Sequence, residues 1–197
     1  MKIRSFLAFD VPESIRRELA GMIQLLEPKA PGVKWVKADR MHCTLKFFGN
    51  VEEDLLMGEI SQVIDEAVRH QTPIRLNSIG IGVFPNWRYP RVIWAGLAGE
   101  TEAALALYER LERSFSTFEL NHDKRHAFRL HLTLGRAKTP LKHCESFVNL
   151  VEKLADKEFG AFTIDHLTLY KSVLTREGPI YTDLREFKLG NTVTRDT

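Results

Sequence analysis

The sequence predicts an α+β fold built as a duplicated unit in two closely packed lobes. Three observations carry this. The tetrapeptide His-x-Thr-Leu is written twice, from His42 and from His131, 89 residues apart. The elements around each copy follow one order: helix, His-x-Thr strand, helix, strand, strand. Pro90 and Pro179 share the same offset, each ahead of the last strand of its half. Self-similarity at a fixed offset is the mark of a repeated structural unit. The expectation is one bilobal domain over 1–197, with approximate lobes 1–98 and 99–197, because no Pro/Gly/Ser-rich linker or low-complexity run separates them.

The elements follow from local pattern. In "IRSFLAFDV", Phe6 and Ala8 fall on one face and Leu7 and Phe9 on the other, the period of a strand. Pro12 suits a first helical turn, and "PESIRRELAGMIQLLE" lines up Ile15, Leu19, Met22, Ile23 and Leu26 on one helical face. "MHCTLKFFG" is short and alternating and predicts a strand ended by Gly49. "EEDLLMGEISQVIDEAV" opens with acids, which favour a helix N-terminus. "PIRLNSIGIGVF" and "RVIWAGL" predict a hairpin around "PNWRYP". The order then begins again. "TEAALALYERLERSF" is a helix with Ala104, Leu107, Tyr108, Leu111 and Phe115 on one face. "FRLHLTLGR" is a strand, "CESFVNLVEKLAD" a helix, and "FTIDHLTLYKSVL" and "PIYTDLREF" are strands flanking "TREG". The tail "LGNTVTRDT" is expected to fray.

Bulk properties exclude some classes. With 44% hydrophobic and 27% charged residues among 197, the chain has a soluble globular composition and enough length to bury a core. No apolar run approaches the roughly 20 residues of a membrane span. Asp10 interrupts the apolar stretch after Phe9, so no signal peptide is expected. Cys43 and Cys144 match neither zinc nor redox spacing, which predicts two free, packed thiols and a cytoplasmic protein. Net charge is only +2, yet residues 124–142 carry six Lys or Arg and no acid, and residues 34–50 carry four against one Asp. Both His-x-Thr copies sit in these basic stretches, which points to an anionic ligand.

Side chains at i and i+2 of a strand share a face. His42 and Thr44 therefore point one way and Cys43 and Leu45 the other; His131 and Thr133 separate from Leu132 and Leu134 likewise. The leucines are expected to face the core, leaving both pairs toward a cleft or solvent. Free histidine titrates near 6.5, so at neutral pH one imidazole can accept a proton while another donates one. Hydrolysis of a phosphodiester needs both jobs, and threonine hydroxyls can hold the non-bridging oxygens. No metal or other cofactor is required when the leaving group is good, as in a strained cyclic phosphate. Other histidines fit less well. His122 and His126 have the spacing of a helical zinc pair, but "NHDKRHAF" predicts a loop and lacks a zincin glutamate. His166 heads a further His-x-Thr with no partner at the repeat offset.

The chain resembles the 2H phosphoesterases, named for two His-x-Thr/Ser motifs. It is most similar to the RNA 2′,3′-cyclic phosphodiesterases, also called 2′-5′ RNA ligases. The segments "FLAFDVPESIRREL", "WVKADRMHCTLKFFG", "GIGVFPNWRYPRVIWAGL", "FRLHLTLGR" and "LYKSVLTREGPIYTDL" carry the likeness, in that order, over nearly the whole chain. The resemblance implies a two-lobed, pseudo-two-fold α+β fold with antiparallel sheets facing a central active cleft and helices outside, with His42 as proton donor, His131 as proton acceptor, and Thr44, Thr133 and Arg136 binding the phosphate. Tyr170 and Trp87 are candidate base-stacking residues, equally readable as packing.

The leading expectation is therefore a metal-independent monomeric hydrolase of RNA 2′,3′-cyclic phosphate ends or cyclic nucleotides, yielding 2′-phosphomonoesters. Reversible 2′-5′ ligation of RNA ends is the enzymatic alternative, with a 5′-hydroxyl replacing water. A non-catalytic RNA-binding module is the alternative of another class, but binding alone needs Lys and Arg, not two aligned imidazoles.

Overall fold

The computed structural model describes residues 1–120, 128–141 and 145–190. Nine strands form two antiparallel sheets among these residues. The first sheet has four strands in the order β3 (His42–Glu52), β1 (Lys2–Asp10), β8 (His166–Thr175), β9 (Gly178–Lys188). The second has five, in the order β2 (Val33–Trp35), β6 (His131–Ala137), β5 (Val92–Gly99), β4 (Ile74–Phe84), β7 (Glu158–Ile164). One His-x-Thr motif lies in each sheet. Each sheet also draws strands from both halves of the sequence, so the repeat is interleaved in space rather than stacked half upon half.

The helices are α1 (Glu13–Leu26), α2 (Glu53–Leu55), α3 (Ser61–Val68), α4 (Thr101–Phe115) and α5 (Glu145–Glu152). The sequence predicts one helix over 52–68; the structure runs α2 into α3 through a π-helical turn at Leu56–Ile60, with the Ser61 hydroxyl donating to the Leu56 carbonyl at 2.8 Å. Alternation in β1 places Leu7 and Phe9 in the main core and Phe6 and Ala8 in a separate cluster with Tyr170. Helix α4 packs on the first sheet through Phe48 against Phe115 and a partly buried Lys46–Glu112 ion pair of 2.7 Å. Helix α3 ties to the same sheet through Arg185 and Asp65. Helix α1 meets β7 at Gly160, where a Cβ would stand 2.9 Å from Ile15 Cδ1.

Three sequence expectations are corrected. Gly49 does not end its strand: with φ 73° it absorbs a bulge at Phe48, since Ser5 pairs with Gly49 and Phe6 with Phe47, and β3 continues to Glu52. The run "FTIDHLTLYKSVL" is not one strand. It breaks at Asp165, with Ile164 pairing Ile74 in the second sheet and Leu169 pairing Leu7 in the first. The short strand β2 is absent from the pattern of elements that the sequence predicts. The second-half helix begins, as described, at Glu145. Residues 121–127, with His122 and His126, residues 142–144, with His143 and Cys144, and the predicted frayed tail 191–197 lie outside the described residues.

Candidate active site

Alternation along the two motif strands sorts their side chains as the period of two requires. Cys43, Leu45, Leu132 and Leu134 are buried, whereas His42, Thr44, His131 and Thr133 are partly exposed on the opposite faces. Cys43 is the seam between the motifs: burial pushes its thiol up to about 12, and the backbone of His131 touches it.

The two imidazoles are held alike. His42 Nδ1 lies 2.8 Å from the Arg40 carbonyl oxygen, and His131 Nδ1 lies 2.7 Å from the Arg129 carbonyl oxygen. A carbonyl can only accept, so each Nδ1 carries its hydrogen and donates it in both protonation states. Nε2 is thereby left as the working nitrogen of each ring, a base when bare and an acid when protonated. Aromatic walls fix the ring planes. Phe6 stacks on His42 at 4.8 Å between centroids, and Tyr181 meets it edge-on at 5.4 Å. Phe84 meets His131 edge-on at 5.0 Å, with Trp94 at 6.4 Å.

Burial is the largest influence on both rings and lowers both pKa values, because a desolvated imidazolium is costly. The bonded carbonyls oppose this. Arg136 lowers His42 and His131 alike, so one guanidinium from the second motif bears on both motifs. Its Nη2 also reaches Thr133 Oγ1 at 3.3 Å. A hydroxyl that accepts there has its own hydrogen free for another oxygen. Arg136 thus links His42, His131 and Thr133, while Thr44 shares the face of its strand with His42.

Sequence reasoning missed Asp10. It pairs with His42 across the β1–β3 ladder. Its Oδ2 accepts from the Tyr170 hydroxyl at 2.5 Å and, more weakly, from Thr168 at 3.4 Å; its Oδ1 accepts from Arg16 at 3.2 Å. Burial, then the bond to Asp10, push the Tyr170 phenol up, so it remains a donor. With its ring stacked on Phe6 at 4.9 Å, Tyr170 is a wall of the site rather than a free stacking surface. Trp87 is exposed at the tip of the β4–β5 hairpin. His166 is held by Asp165 at 2.6 Å. A hollow lined by Phe48, Asn50, Val51, Glu119 and Leu120 opens at the far end of β3 and holds none of the candidate residues. Among the described residues no three His, Cys, Asp or Glu side chains gather as a metal site, and no helix is long and apolar enough to cross a membrane.

Residues 11–176 match the family model described as the 2′-5′ RNA ligase superfamily. The chain belongs to the 2′-5′ RNA ligase superfamily. The 2H phosphoesterase resemblance carried by the two motifs is thereby borne out. Within this superfamily the chain is similar to a Methanothermobacter thermautotrophicus protein named RNA 2′,3′-cyclic phosphodiesterase, with 35% identity over 96% of this chain and 100% of the relative. A protein of the same name from Methanocaldococcus jannaschii is 34% identical over 94% of this chain and 100% of its own length. Among solved structures, a Thermus thermophilus protein superposes with a TM-score of 0.78 at 27% identity, covering 96% of this chain and 100% of that one. E. coli LigT, solved with 3′-AMP, shares the fold at a TM-score of 0.73 and 22% identity, covering 97% of this chain and all of that one.

Proposed function

We propose that this superfamily member hydrolyses RNA 2′,3′-cyclic phosphodiester ends to 2′-phosphomonoesters, with two histidines as its acid–base pair. The observation that carries the mechanism is the matched bonding of His42 and His131, each tied at Nδ1 and free at Nε2. His131 Nε2 takes a proton from water as the oxygen attacks phosphorus. The bond from phosphorus to the ribose 3′ oxygen breaks, and His42 Nε2–H supplies the proton that oxygen needs. Thr44, Thr133 and Arg136 donate to the non-bridging oxygens as their charge grows. The names of the archaeal relatives support the substrate class. The buried, free Cys43 thiol fits a reducing cytoplasm, where the chain acts as a monomer.

The same atoms would serve 2′-5′ ligation with a 5′-hydroxyl in place of water. Hydrolysis is favoured because a water needs no further seat. The test is incubation of purified protein with a 2′,3′-cyclic mononucleotide and a cyclic-ended RNA in excess EDTA. Hydrolysis of both is expected. Turnover of neither, or turnover lost in EDTA and restored by one divalent ion, would refute the proposal.

A further inference from the structure

A second concentration of positive charge stands beside the site and is not used by the acid–base chemistry. Lys34 on β2 and Arg136 on β6 are direct cross-strand partners, so their side chains leave the sheet together on one face. Arg40 enters from the turn before β3. A Cβ on Gly178, at the β8–β9 turn, would stand 2.8 Å from Arg40 Nη1 and 3.6 Å from Lys34 Nζ. The two cationic heads therefore converge on one bare Cα. Gly178 has φ 127°, a conformation that favours glycine, and any side chain there would fill the point of convergence. Arg40, Arg136 and Arg4 all bear electrostatically on the Tyr181 hydroxyl.

Among the described residues, Lys34, Arg40, Arg4 and Arg136 form no ion pair with a carboxylate. Like charges directly opposite on a ladder destabilise it, so an anion is the natural complement. Arg136, through Thr133, is committed to the reacting phosphate. Lys34 lies one strand farther out, about 4.8 Å by strand spacing, on the edge strand of its sheet, where a chain can leave toward solvent.

We infer that Lys34 and Arg40, bounded by the β8–β9 turn at Gly178, seat a second phosphate of an RNA substrate: the phosphodiester on the 5′ side of the terminal nucleoside. The substrate class rests on the proposed function. The seat makes the protein a reader of polynucleotide ends, and a cyclic mononucleotide, which lacks that phosphate, leaves it empty.

Binding tests it independently of turnover. The probes are a labelled short RNA ending in a 2′-phosphate and, as competitor, a 2′-mononucleotide, titrated at about 50 and 200 mM salt. Lys34→Gln should weaken RNA binding about three- to tenfold at the lower salt and reduce the log–log salt slope by about 0.7, one phosphate contact on a single strand. Lys34→Glu should weaken it further, while the mononucleotide changes less than about twofold with either variant. Unchanged RNA binding overturns the inference. So does an equal loss for both ligands, which would assign Lys34 to the reacting phosphate. Failure of the wild type to hydrolyse cyclic phosphates would refute the proposed function, and the seat would still stand or fall on these affinities.

Discussion

Asp10 stands directly opposite His42 across the β1–β3 ladder, and its carboxylate raises the pKa of that imidazole. The place opposite His131 on the β5–β6 ladder is held by Gly96. Arg136 does not distinguish the rings, since it lowers both. The sequence alone makes Arg136 the element that breaks the pseudo-symmetry; in the structure Asp10 does so. It favours the protonated form of His42 and, among the described residues, has no counterpart at His131.

This fixes an expectation for pH. Burial, the leading cause, lowers both imidazoles from their free value, so the kcat/KM bell should lie on the acid side of about 6.5. The groups acting on His42 are Asp10 and the Arg40 carbonyl, which raise it, and Arg16 and Arg136, which lower it. If His42 is the acid, activity falls as pH rises through its pKa. Asp10→Asn removes a raising charge, so the alkaline limb should move to lower pH while the acid limb stays. A shifted acid limb with a fixed alkaline one would show that His42 is the base.

Removal of either imidazole tests the pair. His42→Ala and His131→Ala should each lower turnover by about 10²–10⁴ with the fold intact. The double variant should be little worse than either single one, because the two act as a unit. Near-normal turnover of a folded single variant would remove that residue from the chemistry.

The floor under Trp94 offers a test away from the reacting groups. A Cβ at Gly82 would fall 2.2 Å from Trp94 Cζ2, in steric overlap with the indole, which is flanked by Phe84 at 5.1 Å and His131 at 6.4 Å. A rigid ring cannot yield locally, so Gly82→Ala should tilt the indole toward His131. The expected cost is about 1–3 kcal/mol of stability, typical of overpacking, with a loss in kcat/KM of about tenfold for each 1.4 kcal/mol transmitted to the transition state. Thermal melts and steady-state kinetics read both. Adding Trp94→Leu should recover stability; no change in either measurement for Gly82→Ala would show that the ring has room to move.

The motif faces were legible because a period of two on a short strand fixes orientation without tertiary knowledge: the burial of Leu132 and Leu134 beside partly exposed His131 follows from alternation alone. The break at Asp165 left a trace in the sequence, since the apolar phase shifts from Phe162 and Ile164 to Leu167 and Leu169 across the polar pair Asp165–His166, but only pairing to β4 and β1 shows that the two halves go to different sheets. Strand β2 is three residues long, too short to show a period. Asp10 escaped notice for another reason. It lies far from His42 along the chain, and its meaning arises only when β1 pairs with β3. Lys34 and Arg40 stood in the sequence as basic charge, but their convergence on Gly178 depends on a hairpin from the opposite end of the chain.

The product's regiochemistry brings these roles to one measurement. Water must attack phosphorus in line with the departing oxygen, so base and acid belong on opposite sides of the phosphate. His131 and His42 come from different sheets, which suits that demand. The oxygen beside the acid becomes the free hydroxyl. The family resemblance assigns the 3′ oxygen to His42, and Asp10 gives that ring the means to hold a proton for it. His131 has Gly96 opposite in place of a carboxylate, so no cross-strand charge favours its protonated form. The expected product is a 2′-phosphomonoester with a free 3′-hydroxyl, read by phosphorus NMR or by chromatography against both monophosphate standards. Dominance of the 3′-phosphate would mean that the acid and base are exchanged or that the nucleoside lies reversed in the cleft. The Asp10→Asn profile separates these two, because only an exchange of roles moves the acid limb.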